Sequence, residues 1–129
     1  MARSTCRPTA AELAILRVLW SAGPSTVRQV HEALAESRDT GYTTTLKLMQ
    51  IMADKGLVTR DQTARSHVYS TQLSQDQTQR DLVTDLLDRA FGGSAAELVL
   101  QALNARKASP EELDEIRQLI DEYRKAGRR

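Results

Sequence analysis

Between Tyr42 and Lys55 a helical repeat sets Thr43, Thr44, Lys47 and Gln50 on one side, with Ile51 at its edge. Thr45, Leu48, Met49 and Met52 fall on the other side. The polar set suits the edges of nucleic-acid bases. A glutamine can hold adenine by two hydrogen bonds, a lysine reaches guanine or phosphate, and an apolar side chain meets the thymine methyl. Threonines at the start of such a helix can anchor a phosphate where backbone N–H groups already favour an anion. The same face would equally serve as the wet side of any amphipathic helix, so the segment does not decide its own role. Downstream, Arg60, Arg65 and His67 crowd a short strand pair and its tip, as a phosphate backbone would require. Charged hairpin tips are common, and this signal too is weak by itself. Arg7, just ahead of the first helix, adds one more candidate phosphate contact.

Other chemistries find no support in the 129 residues. There is no glycine-rich phosphate loop and no Ser/His/Asp arrangement on strand ends, so no catalytic residue is expected. His31 and His67 fall on different elements without cysteines or spaced carboxylates beside them, and neither a metal nor a cofactor is expected. His31 reads as a surface or half-buried helix residue. One cysteine, Cys6, excludes an internal disulfide and a cysteine-based zinc module, and reads as incidental. No apolar run exceeds four residues, Leu13 to Leu16, against the roughly 20 that cross a bilayer. No signal peptide is expected, and a soluble cytoplasmic protein without membrane insertion is the class that remains.

The net charge of +1 conceals an asymmetry. Residues 1–73 carry nine Lys and Arg against six Asp and Glu, whereas residues 74–129 carry nine against eleven. The excess is too mild to establish nucleic-acid binding, but it says which half would do the binding.

The elements that must position these residues can be read from their caps and periods. Thr9 and Glu12 have capping-box spacing ahead of Leu13, Leu16, Leu19 and Trp20, and Gly23-Pro24 stops that helix. Thr26 and Gln29 form a second box, followed by the stripe Val27, Val30 and Leu34. After a polar turn over 37–41, the third helix runs from Tyr42 to Lys55 and ends at Gly56. The segments 57–60 and 67–70 then read as a two-stranded hairpin. Three helices followed by a hairpin is the order of a winged helix-turn-helix domain, assigned here to residues 1–73.

From Ser74 onward only helices are expected. Leu82, Val83, Leu86, Leu87 and Phe91 form one stripe, ended by Gly92-Gly93. Ser94 and Glu97 open the next helix, and Ser109-Pro110-Glu111-Glu112 opens the last. Three helices in so short a segment bury little core alone, so residues 74–129 are expected to be a helical dimerisation region. Leu82, Leu86, Leu113, Ile116 and Ile120 should lie between two chains. The fold class is therefore mainly α with a small β-hairpin: an N-terminal winged helix-turn-helix domain plus a C-terminal helical dimerisation region.

With these segments in place the chain resembles the penicillinase-repressor (BlaI/MecI) family of bacterial transcriptional regulators. The resemblance runs through Thr9-Ala10-Ala11-Glu12, Leu19-Trp20, Thr26-Val27-Arg28 and Tyr42-Thr43-Thr44-Thr45-Leu46. It continues in Lys55-Gly56-Leu57-Val58-Thr59-Arg60, Val68-Tyr69, Phe91-Gly92-Gly93-Ser94 and Ser109-Pro110-Glu111-Glu112-Leu113. It implies a homodimer that represses from an inverted-repeat operator in double-stranded DNA. Lys47 and Ile51 depart from the threonine and arginine of many members, so no operator sequence carries over. The cysteine-rich ending of the copper-responsive branch is missing here, which excludes copper sensing by that route. The resemblance further implies relief of repression by proteolysis downstream of a membrane sensor metalloprotease, in some members controlling β-lactam resistance. The bond equivalent to the usual Asn-Phe cut is Gln101-Ala102. The rival expectation from another class is a helical protein-interaction adaptor whose winged helix has lost DNA.

Overall fold

In the computed structural model, residues 7–37, 39–63 and 65–127 are described. Cys6 and the closing Arg128-Arg129 lie outside them. The chain divides into two units, Met1–Arg80 and Asp81–Arg129.

The first unit begins with α1 (Ala10–Ala22), whose N-terminus carries the full capping box. Glu12 N–H donates to Thr9 Oγ1, and Thr9 N–H donates back to Glu12 Oε1 at 2.9 Å. The same device opens α2 (Val27–Ala35), with Thr26 and Gln29 as the reciprocal pair. The third helix, α3, spans Tyr42–Lys55, as its period predicts. It stops at Gly56, whose φ of 84° is the left-handed conformation that glycine adopts without a Cβ penalty. Leu57 N–H then reaches back to the Met52 carbonyl at 2.9 Å, and Leu57 itself drops into the core.

The expected hairpin is present as an antiparallel pair, and the structure adds a strand to it. Among the described residues the sheet has three strands, β1 (Ser25–Thr26), β2 (Thr59–Asp61) and β3 (Val68–Ser70), in the order β1-β3-β2. Both pairings are antiparallel, with Ser25 opposite Tyr69 and Arg60 opposite Tyr69. The extra strand escapes a periodicity reading because it is two residues long and shared with a helix cap. An N-cap residue takes extended backbone angles, as Thr26 does at φ −80° and ψ 166°, so Thr26 can cap α2 and pair with Val68 at once. A third strand also relieves the marginal stability of an isolated hairpin.

One apolar core joins these parts. Ile15, Leu16 and Leu19 from α1 meet Val27, Val30 and Leu34 from α2 and Met49 and Met52 from α3. Leu57, Val58 and Tyr69 close it from the sheet side. Each such side chain contributes about 1.5–3 kcal/mol by leaving water. The half-buried Trp20 packs against this core and donates Nε1–H to the Leu73 carbonyl at 2.9 Å, tying α1 to the segment that enters the next helix.

That helix, α4 (Gln75–Ala90), crosses the division between the units. It is followed by α5 (Ala95–Ala105) and α6 (Pro110–Gly127). Ser74, Ser94 and Ser109 cap them through bonds from Gln77, Glu97 and Glu112 N–H groups, each at 3.1 Å. None of the three helices contains a buried residue. Leu86, Leu113, Leu119 and Ile120 are each 44–54% exposed, and Leu82 and Ile116 are half-buried. No helix among the described residues is long and apolar enough to cross a membrane.

Candidate nucleic-acid interface

The placement of α3 depends on contacts at both its ends. Thr45 is fully buried and its hydroxyl donates to the Gly41 carbonyl at 3.3 Å. At the other end Lys55 Nζ donates to Glu12 Oε2 at 2.8 Å, linking the last turn of α3 to the first turn of α1. Glu12 is 2% exposed. Burial pushes its carboxyl up, but the Lys55 and Thr9 hydrogen bonds and the Lys55 charge outweigh that and hold it below its ordinary value. The sequence identifies Glu12 as a capping residue; its second partner, 43 positions away, leaves no local signal.

With Thr45, Met49 and Met52 buried, Thr43, Thr44, Lys47, Gln50 and Ile51 are all exposed along the outer side of α3. The N-terminus of α3 also differs from those of the other helices. Gly41 occupies its N-cap with no side-chain hydrogen bond, so the first-turn N–H groups keep no side-chain acceptor. Thr43 and Thr44 sit in that turn.

Beside α3 the wing forms one wall of a cleft of about 430 Å³. Tyr42, Leu46 and Gln50, spaced one helical turn apart, line it from α3. Arg60, Arg65, Ser66 and His67 line it from the wing, Thr26, Val27 and Arg28 from the start of α2, and the buried Tyr69 from the central strand. No acidic residue is among these lining groups. The cleft thus brings together four of the predicted residues, Gln50, Arg60, Arg65 and His67. Thr43, Thr44, Lys47 and Ile51 lie on the neighbouring exposed arc of α3 outside the cleft lining, and Arg7 is exposed ahead of α1.

The wing is ordered by short-range bonds. Asp61 Oδ1 accepts from Thr63 N–H at 3.0 Å and from Thr63 Oγ1 at 2.7 Å, an Asx-type turn that holds the Asp61 carboxyl below its usual value. The Gln62 amide oxygen, in its bonded orientation, accepts from Arg60 Nε at 2.8 Å and from Nη2 at 3.1 Å. Those bonds orient the guanidinium and leave its remaining N–H groups for a ligand. Thr59 and Ser70 share a hydroxyl–hydroxyl bond of 3.1 Å across the β2–β3 pair.

Tyr42 and Arg28 are among the lining residues to which sequence alone gives no role. Tyr42 meets the half-buried His31 edge-on, with ring centroids 5.7 Å apart and planes at 83°. Arg28 reaches the cleft only because β1 brings the start of α2 to the sheet, and that strand was the element hidden from the sequence reading. Chemically, the assembled surface is a helix face rich in hydrogen-bonding groups beside a cleft whose ionic groups are all basic. Such a surface is suited to a polyanion with readable edges.

Comparison with known proteins agrees with this surface. The penicillinase repressor family model matches residues 8–122. Two curated relatives, each named transcriptional regulator BlaI, come from Mycobacterium tuberculosis strains CDC 1551/Oshkosh and H37Rv. Each is 34% identical to this chain over 112 residues, covering 86% of this chain and 80% of the relative. The match takes in the winged-helix segment and reaches into α6, so it spans both units. The chain belongs to the penicillinase repressor family and is a transcriptional repressor of that type.

Proposed function

We infer that the chain acts as a homodimer on an inverted-repeat operator, with α3 in the major groove and the wing along the backbone. Residues 1–73 would be the DNA-binding part and residues 74–129 the dimerisation part. The observation that carries the reading is the convergence of Gln50 with Arg60, Arg65 and His67 around one cleft that has no acidic lining. In this docking Gln50 and Lys47 meet base edges, Ile51 offers apolar contact, and Thr43 and Thr44 hold a phosphate at the uncapped start of α3. Arg7 is a further backbone contact. A two-fold dimer would set its two recognition helices about one DNA turn apart, or a multiple of it.

The half-exposed stripes of α4 to α6 support the assembly half of the reading. Apolar side chains such as Leu86, Leu113 and Ile120, each close to half-exposed, are costly to leave in water and would be relieved by a second copy, with Leu82 and Ile116 at the same seam. Release would follow cleavage at Gln101-Ala102, downstream of a membrane sensor metalloprotease. Both residues are exposed on α5. The cut would detach α6 and the avidity that depends on it. Control of β-lactam resistance genes is the regulatory outcome this reading favours.

The binding reading is tested by competition between a duplex from upstream of the chain's own coding sequence and a scrambled duplex of equal length. Selective retention of the upstream duplex is expected. No selective shift there or at any neighbouring promoter sinks it. Release is followed separately by chain length during induction in the native cell. Transcription rising while the chain stays whole overturns the cleavage route.

A further inference from the structure

The third strand gives the cleft a second basic wall. β1 and β2 flank β3, so Tyr69 lies at the floor between Ser25 on one side and Arg60 on the other. α2 begins directly after β1, on the edge of β3 away from β2, and this places Arg28 among the lining residues of the cleft. Arg28 is exposed and has no carboxylate partner among the described residues. Sharing with Arg60 and Arg65 a lining without acids, it adds to a positive potential that an anion lowers.

We propose that Arg28 is a phosphate-binding residue that grips, from the α2 side, the same stretch of DNA backbone that the wing holds from the other. The assignment deepens the DNA-binding reading above and rests on it. Three observations fix the class of ligand. The planar guanidinium fork matches phosphate oxygens. The cleft is open, and it continues into the α3 face that carries Gln50. Its basic groups come from two separate elements, the start of α2 and the β2–β3 hairpin, as suits an extended strand more than a compact group. Because phosphates carry no sequence information, Arg28 positions the protein on DNA without selecting a base.

The experiment measures binding of the full chain and of Arg28→Ala to the upstream duplex and to the scrambled duplex across a range of salt. Each phosphate contact contributes a slope of about −0.9 in log K against log salt, worth roughly eightfold in affinity at 0.1 M salt. In a two-fold dimer the substitution removes one contact per half-site. The expected result is an equal loss on both duplexes, with the slope reduced by about one unit for each half-site. Arg28→Lys, which keeps the charge, should recover the slope, and Arg17→Ala, on an exposed position of α1, should change nothing. Unchanged affinity and slope in Arg28→Ala overturn the proposal while leaving the DNA-binding reading intact. A loss confined to the upstream duplex also overturns it, since Arg28 would then be reading bases. Displacement of DNA by millimolar inorganic phosphate at constant ionic strength would identify the cleft as a free-phosphate site and overturn it as well. Failure of the parent chain to bind either duplex removes the DNA-binding reading and this assignment together.

Discussion

The N-terminal unit and the helices that follow it treat their apolar residues in opposite ways. Among the described residues, eleven apolar side chains from Ile15 to Tyr69 are buried around one centre, closed by three helices and the sheet. In α4, α5 and α6 no residue is buried, and Leu100, Leu119 and Ile120 are half in water. Both regions have caps and amphipathic stripes of ordinary quality, so the difference is not one of helix propensity. It is one of closure. The first unit has enough elements to enclose a core, whereas the three helices in succession leave their apolar stripes open.

The comparison is broken most directly by removing the open part. Residues 1–80 should fold alone yet bind a two-site duplex about 10²-fold or more weakly than the full chain, because the second half-site loses its effective concentration. Titrating both proteins against one duplex at fixed salt measures the ratio. Equal affinities would mean that the C-terminal helices do not join two chains.

Core substitutions sharpen it. Leu16→Ala should cost about 2–5 kcal/mol in denaturant unfolding, with a loss independent of protein concentration. Ile120→Ala acts on the association instead, so its loss in Tm should depend on protein concentration, vanishing where neither protein pairs and growing to a plateau where both do. A concentration-independent loss at Ile120 would place that residue in an intrachain core.

A smaller effect separates reading from holding within the first unit. Gln50→Ala or Lys47→Ala should cost about 1–3 kcal/mol and relax base preference. Arg60→Ala or Arg65→Ala should weaken all duplexes alike and lower the salt slope by about one unit per contact. If the wing variants changed preference and the helix variants did not, the docking would be reversed.

The smallest effect concerns Glu12. Its folded carboxyl ionises below its ordinary value, so the stability it contributes is present above the unfolded value near 4.5 and is lost as pH falls through the folded one. Glu12→Gln should therefore flatten the acid limb of the stability–pH curve below about pH 4.5 while leaving DNA base preference unchanged. An unaltered acid limb would show that the Lys55 bond does not fasten α3 to α1.

What could be read in advance follows from the range of the interactions. Capping boxes at Thr9 and Thr26, the Gly56 stop and the stripe through Thr45, Met49 and Met52 are set by residues three or four apart, and they fall where the structure has them. The β1 strand, the Glu12–Lys55 bond and the Trp20 tie to Leu73 join residues 42 or more positions apart, and local periodicity contains no trace of them. The same limit separates the residues on the α3 face, named from spacing alone, from Arg28, whose place in the cleft depends on a pairing between Thr26 and Val68.

The central claim is that a closed DNA reader is paired through an open helical half. Sedimentation of the full chain at micromolar concentration, with and without its upstream duplex, tests it most directly. A dimer is expected in the absence of DNA, with two chains on each duplex when it is added. A monomer under both conditions would contradict it.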